Sequence, residues 1–212
     1  MQDAYWESLW RTENPGECLR FIRGHARSRP AFLSIFERFG VRRVCDAACG
    51  FGAYSAMLLA NGYDVSGFDI AESAVSLTKT LLSAIGMSPG EYKVCSICDI
   101  AFSDRAFGAV TAHAVIDHLP VAEAGRAIDE LFRITADGGL VYLSFDPLED
   151  DDLAAPHEIL PDGSFLYSGA QRDGLLFHYY LEEELNALLA GRKIVYRNLT
   201  ARKERELILQ KL

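Results

Sequence analysis

Short, unbroken apolar blocks alternate along this chain with segments whose apolar positions recur every three to four residues, and glycines separate the two. Tyr5, Trp6, Leu9 and Trp10 carry the helical spacing, as do Phe32, Ile35, Phe36 and Phe39, so residues 1–40 are expected to be helical, with Pro15-Gly16 dividing them. Strands are expected at 42–46, 63–68, 92–97 and 107–112, and in the run from Leu140 to Phe145. Helices are expected between them: Phe51 to Asn61 closed by Gly62, Ala71 to Ile85, and Ala122 to Ile134 with Ala124, Ala127, Ile128 and Leu131 on one face. Fully apolar strands joined by helices indicate an α/β fold whose parallel sheet is covered on both faces.

The rhythm breaks at Asp146. An acidic run, Pro156, Pro161-Asp162-Gly163 and Gly169 make the stretch to Tyr180 read as an irregular cap. A structureless stretch of that length inside a compact domain is usually functional. A short helix over 181–189 and strands at 193–196 and 206–209 follow. The 212 residues suit one domain: a helical segment over 1–40, a core over 41–145, the cap over 146–180, and a C-terminal helix and strands over 181–212.

Charge narrows the partners. Twenty-one basic against thirty acidic residues leave a net charge of −9, and no basic stripe is visible, so nucleic acid is not an expected partner. No apolar run is long enough for a bilayer and no signal peptide opens the chain, so the expectation is a cytoplasmic protein with no membrane partner. Five cysteines, an odd number, fit reduced thiols. Cys95-x-x-Cys98 has no second pair and no histidine near it in sequence, so it reads as packing and no metal is expected.

The chemistry concentrates in Val44-Cys45-Asp46-Ala47-Ala48-Cys49-Gly50-Phe51-Gly52 and in Gly67-Phe68-Asp69-Ile70. The first reads as strand, glycine loop and helix start, where backbone N–H groups can approach a ligand closely. Asp69, nineteen positions after Gly50, stands where an acidic strand tip takes a ribose diol, and it also has the position of a helix cap. Asp46 at the loop mouth would repel a pyrophosphate, and suits a nucleoside that carries an ammonium group.

These segments, with Cys98-Asp99-Ile100, the run from Phe107 to Leu119, and the turn Leu131-Phe132-Arg133-Ile134-Thr135-Ala136-Asp137-Gly138-Gly139, resemble in order and spacing the class I S-adenosylmethionine-dependent methyltransferases, over roughly residues 40–145. Ala48 stands where that family often has glycine, and Gly108 where it usually has an acidic residue. The resemblance implies a Rossmann-like, mostly parallel seven-stranded sheet with helices on both faces, N-terminal helices and a cap insertion before the last strands. It implies S-adenosyl-L-methionine as cofactor and methyl transfer to an N, O or S atom of a small-molecule acceptor. It places Asp46 at the methionine ammonium, Ala48, Gly50 and Gly52 in backbone contact, Asp69 on the ribose, and Ile70, Asp99 and Ile100 on the adenine. His113, Ala114 and His118 would stand beside the methionine half, with Trp6 and Trp10 as a lid. His113, then His178 and Tyr179, are the candidate proton acceptors. Tyr167, Arg172, Phe177, His178 and Tyr179 are the candidate acceptor wall, and a homodimer is compatible with the acidic cap. The competing readings are a cofactor-binding module without methyl transfer, a protein methyltransferase and, remotely, a nicotinamide-dependent oxidoreductase, which lacks its third glycine here.

Overall fold

A computed structural model describes residues 2–169 and 172–212. Three helices lead: α1 (Gln2–Thr12), α2 (Pro15–His25) and α3 (Leu33–Arg38). The Asn14 side chain accepts from the N–H groups of Gly16 and Glu17, and Pro15 occupies the first turn of α2, where its missing N–H costs nothing. Then come β1 (Arg43–Ala47), α4 (Ala53–Ala60), β2 (Asp64–Asp69), α5 (Glu72–Ala84), β3 (Tyr92–Val94) and β4 (Phe107–Ala112). A 3-10 turn (Ile116–His118) leads into α6 (Val121–Ile134) and β5 (Thr135–Phe145). The remaining elements are α7 (Asp150–Ala154), β6 (His157–Ile159), β7 (Phe165–Tyr167), β8 (Leu176–Phe177), α8 (Glu182–Leu188), β9 (Lys193–Leu199) and β10 (Arg205–Gln210).

Among the described residues the main sheet has seven strands in the order β3-β2-β1-β4-β5-β10-β9. The first five run parallel, and β10 pairs antiparallel with both β5 and β9. Strand alternation divides the core. Cys45, Ala47, Leu207 and Leu209 pack toward α6 and α8. Val44 and Ile208 face the opposite side, where α3 and α4 supply Phe32, Phe36, Met57 and Leu58. α2 closes over α4 and α5 through Cys18 and Ile22.

Three expectations change. The stretch read as irregular folds into α7 and an antiparallel sheet β6-β7-β8. The strand expected over 92–97 ends at Val94, and the following residues turn, with the Asp99 N–H donating to the Ser96 carbonyl. β5 begins earlier than its apolar run, because Thr135 pairs with Phe107 ahead of a register shift that absorbs Asp137-Gly138-Gly139.

Candidate active site

The order of strands reverses between β1 and β4, and a crevice opens beyond their carboxyl ends, as at other such switch points. A cavity of about 660 Å³ lies there. Its floor is the loop after β1. Ala48 (φ +53°) and Gly50 (φ +54°) both adopt the left-handed conformation. A Cβ on Gly50 would stand 2.8 Å from the Trp10 ring, so the glycine is what lets α1 lie across the loop.

Asp69 ties this loop to the next one. It is 4 % exposed; one carboxylate oxygen accepts from the Gly50 N–H at 2.9 Å and the other from the Ala71 N–H at 3.0 Å. Burial raises its pKa, and those N–H groups oppose the rise. Each oxygen has a further lone pair, and the residue lines the cavity. Asp46, 2 % exposed, accepts from the Ser55 hydroxyl at 2.5 Å, and Ser55 in turn accepts from Tyr92 at 2.5 Å. Tyr92 reaches that far because Gly67 has no side chain: a Cβ there would meet the Tyr92 ring at 2.7 Å. Burial pushes the Asp46 carboxyl up to about 6, against the pull of Ser55 and His113.

The upper wall follows β4. His113 packs its ring 4.2 Å from that of Tyr54, and its Nε2 stands 3.0 Å from a Glu204 carboxylate oxygen. Ala114 is left-handed (φ +46°), and its N–H donates to the Ser144 hydroxyl at 3.0 Å. His118 shares a hydrogen bond of 2.8 Å between Nδ1 and the Leu176 carbonyl and meets the edge of Trp6 at 5.3 Å. Asp117, His118 and Asp146 bring one ligand-type atom each within 4.8 Å of one another, and burial beside Asp117 pushes Asp146 up to about 6.

Of the residues singled out in the sequence, Trp6, Trp10, Asp46, Ala48, Gly50, Asp69, Ile70, His113, Ala114 and His118 line this one cavity. Gly52 does not; it starts α4 in the left-handed conformation with Thr78 packed where a side chain would go. Asp99 and Ile100 do not line the cavity either. The early end of β3 gives the wall to Ser96 and Ile97, leaves Asp99 exposed, and buries Ile100 with its N–H donating to Glu130 at 2.8 Å.

The residues expected as acceptor wall lie outside the cavity lining. Leu166 pairs with Leu176, and Phe165 with Phe177, so alternation sends the two leucines toward the cavity and the aromatics to the other face. Tyr167 and Phe177 are therefore buried behind it. Arg172 is held by Asp152 at 2.7 Å and covers the Tyr167 ring. His178 is 3 % exposed, with Nδ1 3.1 Å from the Ser164 hydroxyl and its ring against Tyr180. Tyr179 is 36 % exposed under Arg205. The cap's cavity residues are Leu160, Asp162, Leu166 and Leu176. Tyr54, in the first turn of the helix after the glycine loop, had a local signal; Leu166 and Leu176 needed the strand pairing.

The cavity's charged lining tests the expected ligand. Asp3, Asp46, Asp69, Glu123 and Asp162 are all acidic, and neither lysine nor arginine lines it among the described residues. That set suits a cation and opposes a phosphate. With the left-handed loop and the carboxylate beyond β2, this lining is compatible with S-adenosylmethionine, which Asp46 would meet at the ammonium, Asp69 at the ribose, and Ile70 and Ile97 at the base.

Fold and site together define a Rossmann-like protein whose strand order and acidic, glycine-looped crevice are similar to those of the class I S-adenosylmethionine-dependent methyltransferases. A family model described as a methyltransferase domain matches residues 45–143, a little under half of the chain. A ubiquinone biosynthesis O-methyltransferase from Dechloromonas aromatica is 30% identical over 104 residues, 49% of this chain and 44% of its own length. The chain thus matches less than half the length of that relative. Among solved structures, a SAM-dependent methyltransferase from Methanosarcina mazei superposes with a TM-score of 0.71 at 24% identity, over 87% of this chain and 99% of its own. The 1,6-didemethyltoxoflavin-N1-methyltransferase of Burkholderia thailandensis, solved with S-adenosylhomocysteine, gives 0.67 at 18% identity, over 88% and 78%.

Proposed function

We propose that this chain transfers a methyl group from S-adenosylmethionine to a small, largely apolar acceptor that carries no negative charge. The observation that carries the reading is the cavity at the β1–β4 switch point, walled by carboxylates and aromatic rings and free of lysine and arginine among the described residues. When bound, the cofactor supplies an already activated methyl group on a sulfonium.

The chain's own residues then have three tasks. Asp46 and Asp69 bind, and the Trp6 and Trp10 faces favour a cation beside them. Leu160, Leu166 and Leu176 wall off water and orient the acceptor, and positioning of this kind can supply much of the rate. His113, on the wall, takes a proton where the acceptor brings one. The biosynthetic O-methyltransferase and the N1-methyltransferase named above support a small molecule over a protein, as does enclosure by α1 and the cap. The five free thiols and the absence, among the described residues, of a helix long and apolar enough to cross a membrane go with a cytoplasmic location.

Calorimetry with S-adenosylmethionine, S-adenosylhomocysteine and NADH tests the binding half, with heat expected from the first two alone. Transfer of labelled methyl into a metabolite extract tests the other half. Binding of NADH in place of the sulfonium, or binding without transfer, overturns the proposal.

A further inference from the structure

We propose that Glu204 is a positioning residue: reaching in from the turn between β9 and β10, it fixes the His113 imidazole at the cavity wall and keeps Nδ1 as the nitrogen that meets an acceptor hydroxyl. This rests on the reading above and deepens it, because an acceptor that arrives as a hydroxyl needs a proton taken and a neutral amine does not.

The geometry is specific. His113 lies one residue past β4 and lines the cavity. Its Nε2 is at ion-pair distance, 3.0 Å, from a buried Glu204 carboxylate oxygen that makes no aligned hydrogen bond; the Glu204 side chain is only 18% exposed, and the ring rests on Tyr54. Among the described residues Nδ1 has no protein hydrogen bond. Glu204 arrives beside the site because β10 pairs with β5, which in turn lies next to β4. The turn that carries it, Thr200-Ala201-Arg202-Lys203-Glu204, is closed by the Thr200 hydroxyl accepting the Glu204 N–H at 3.1 Å.

Charged groups face His113 from every side. Glu204 comes from the β9–β10 turn, Asp146 from the end of β5, Asp117 from the 3-10 turn and Asp46 from β1, while Arg202 acts on Glu204 itself. Burial would lower the His113 pKa; Glu204 first, then the two aspartates, outweigh it and raise it. Glu204 is correspondingly held low by His113. In the step assigned to His113 the acceptor O–H bond breaks, the proton forms a bond to Nδ1, and the electron pair stays on oxygen as the methyl nucleophile. The imidazolium so formed faces the Glu204 carboxylate, and its proton leaves to solvent after product release.

The test is the pH titration of the His113 ring signals by NMR in ligand-free protein, assigned through His113→Asn, for the wild type, Glu204→Gln and Glu204→Asp. Loss of the carboxylate charge should move the midpoint down by about 1 pH unit or more, and the shorter carboxylate should restore much of it. The pH profile of S-adenosylhomocysteine release, with a metabolite extract as acceptor source, should rise through the wild-type midpoint, and this limb should move with the midpoint in Glu204→Gln. A midpoint that stays within a few tenths of a unit in a variant that melts cooperatively, or a pH profile that is flat, overturns the proposal. Wild-type protein that binds no S-adenosylhomocysteine sinks the methyltransferase reading instead, and the NMR midpoints still decide whether Glu204 governs His113.

Discussion

At the scale of single residues, Asp69 ties two loops together at the edge of the cavity. Its two oxygens hold the Gly50 and Ala71 N–H groups, and the same carboxylate lines the cavity. Asp69→Ala should weaken S-adenosylhomocysteine binding by about 1–3 kcal/mol, the scale of hydrogen bonds to a charged group, as calorimetry will measure. Unchanged affinity in a folded variant would remove Asp69 from the site. Gly50 makes a separate prediction. An added methyl meets Trp10 at 2.8 Å on a backbone of φ +54°, so Gly50→Ala should cost on the order of 1–3 kcal/mol of stability and shift the tryptophan emission as α1 lifts. Both positions were legible in the sequence, because a strand, a glycine loop and an acidic strand tip are local patterns. The strand end before Asp99 and Ile100 was not legible, because a strand's last residue is set by pairing, and β3 pairs with β2 only as far as Val94.

Elements carry the closure of the site. α1 does more than cover it. Glu7 accepts the Ser73 N–H at 3.1 Å, and its carbonyl accepts the Ser73 hydroxyl, so α1 caps the N-terminus of α5. Glu7→Ala should cost about 0.5–2 kcal/mol in chemical denaturation and loosen α1, with weaker cofactor binding as the second readout. Across the cavity, the leucine face of β7 and β8 should answer to size. Leu166→Trp is expected to slow turnover while leaving S-adenosylhomocysteine affinity within a few fold; a parallel loss of both would place Leu166 at the cofactor and not at the acceptor. The aromatic residues of the cap attracted attention in the sequence because they suit both cores and sites. Once Leu166 pairs with Leu176, the period of two puts Tyr167 and Phe177 in the core.

For the whole molecule, the burial of acid groups couples pH to stability and binding. Asp46 and Asp146 both titrate near about 6 in the folded chain, above the ~3.9 of an unfolded aspartate. Between those values the native state binds more protons, so these two groups make the ligand-free protein lose stability as pH rises from about 4 to about 6, and contribute no further change above. Thermal melts across that window, compared with Asp46→Asn, measure the Asp46 share. Binding of a cation favours the charged carboxylate, so affinity for S-adenosylmethionine should rise with pH through about 6, with up to about half a proton per site released from Asp46 at the midpoint. Calorimetry in buffers of different ionisation enthalpy reads that release directly; no release at pH 6 would mean that Asp46 does not meet the ammonium.

By itself the sequence determined the parallel α/β core, the glycine loop, and two aspartates placed at the loop's mouth and at the tip of the next strand, because strand and helix periods and left-handed turns are written in neighbouring residues. Only the tertiary structure decided which face of the cap meets the cavity, where the third strand stops, and that Glu204 stands against His113. Those outcomes depend on strand register and on β10 returning beside β5, and contacts between residues far apart in the chain leave no periodic trace in it.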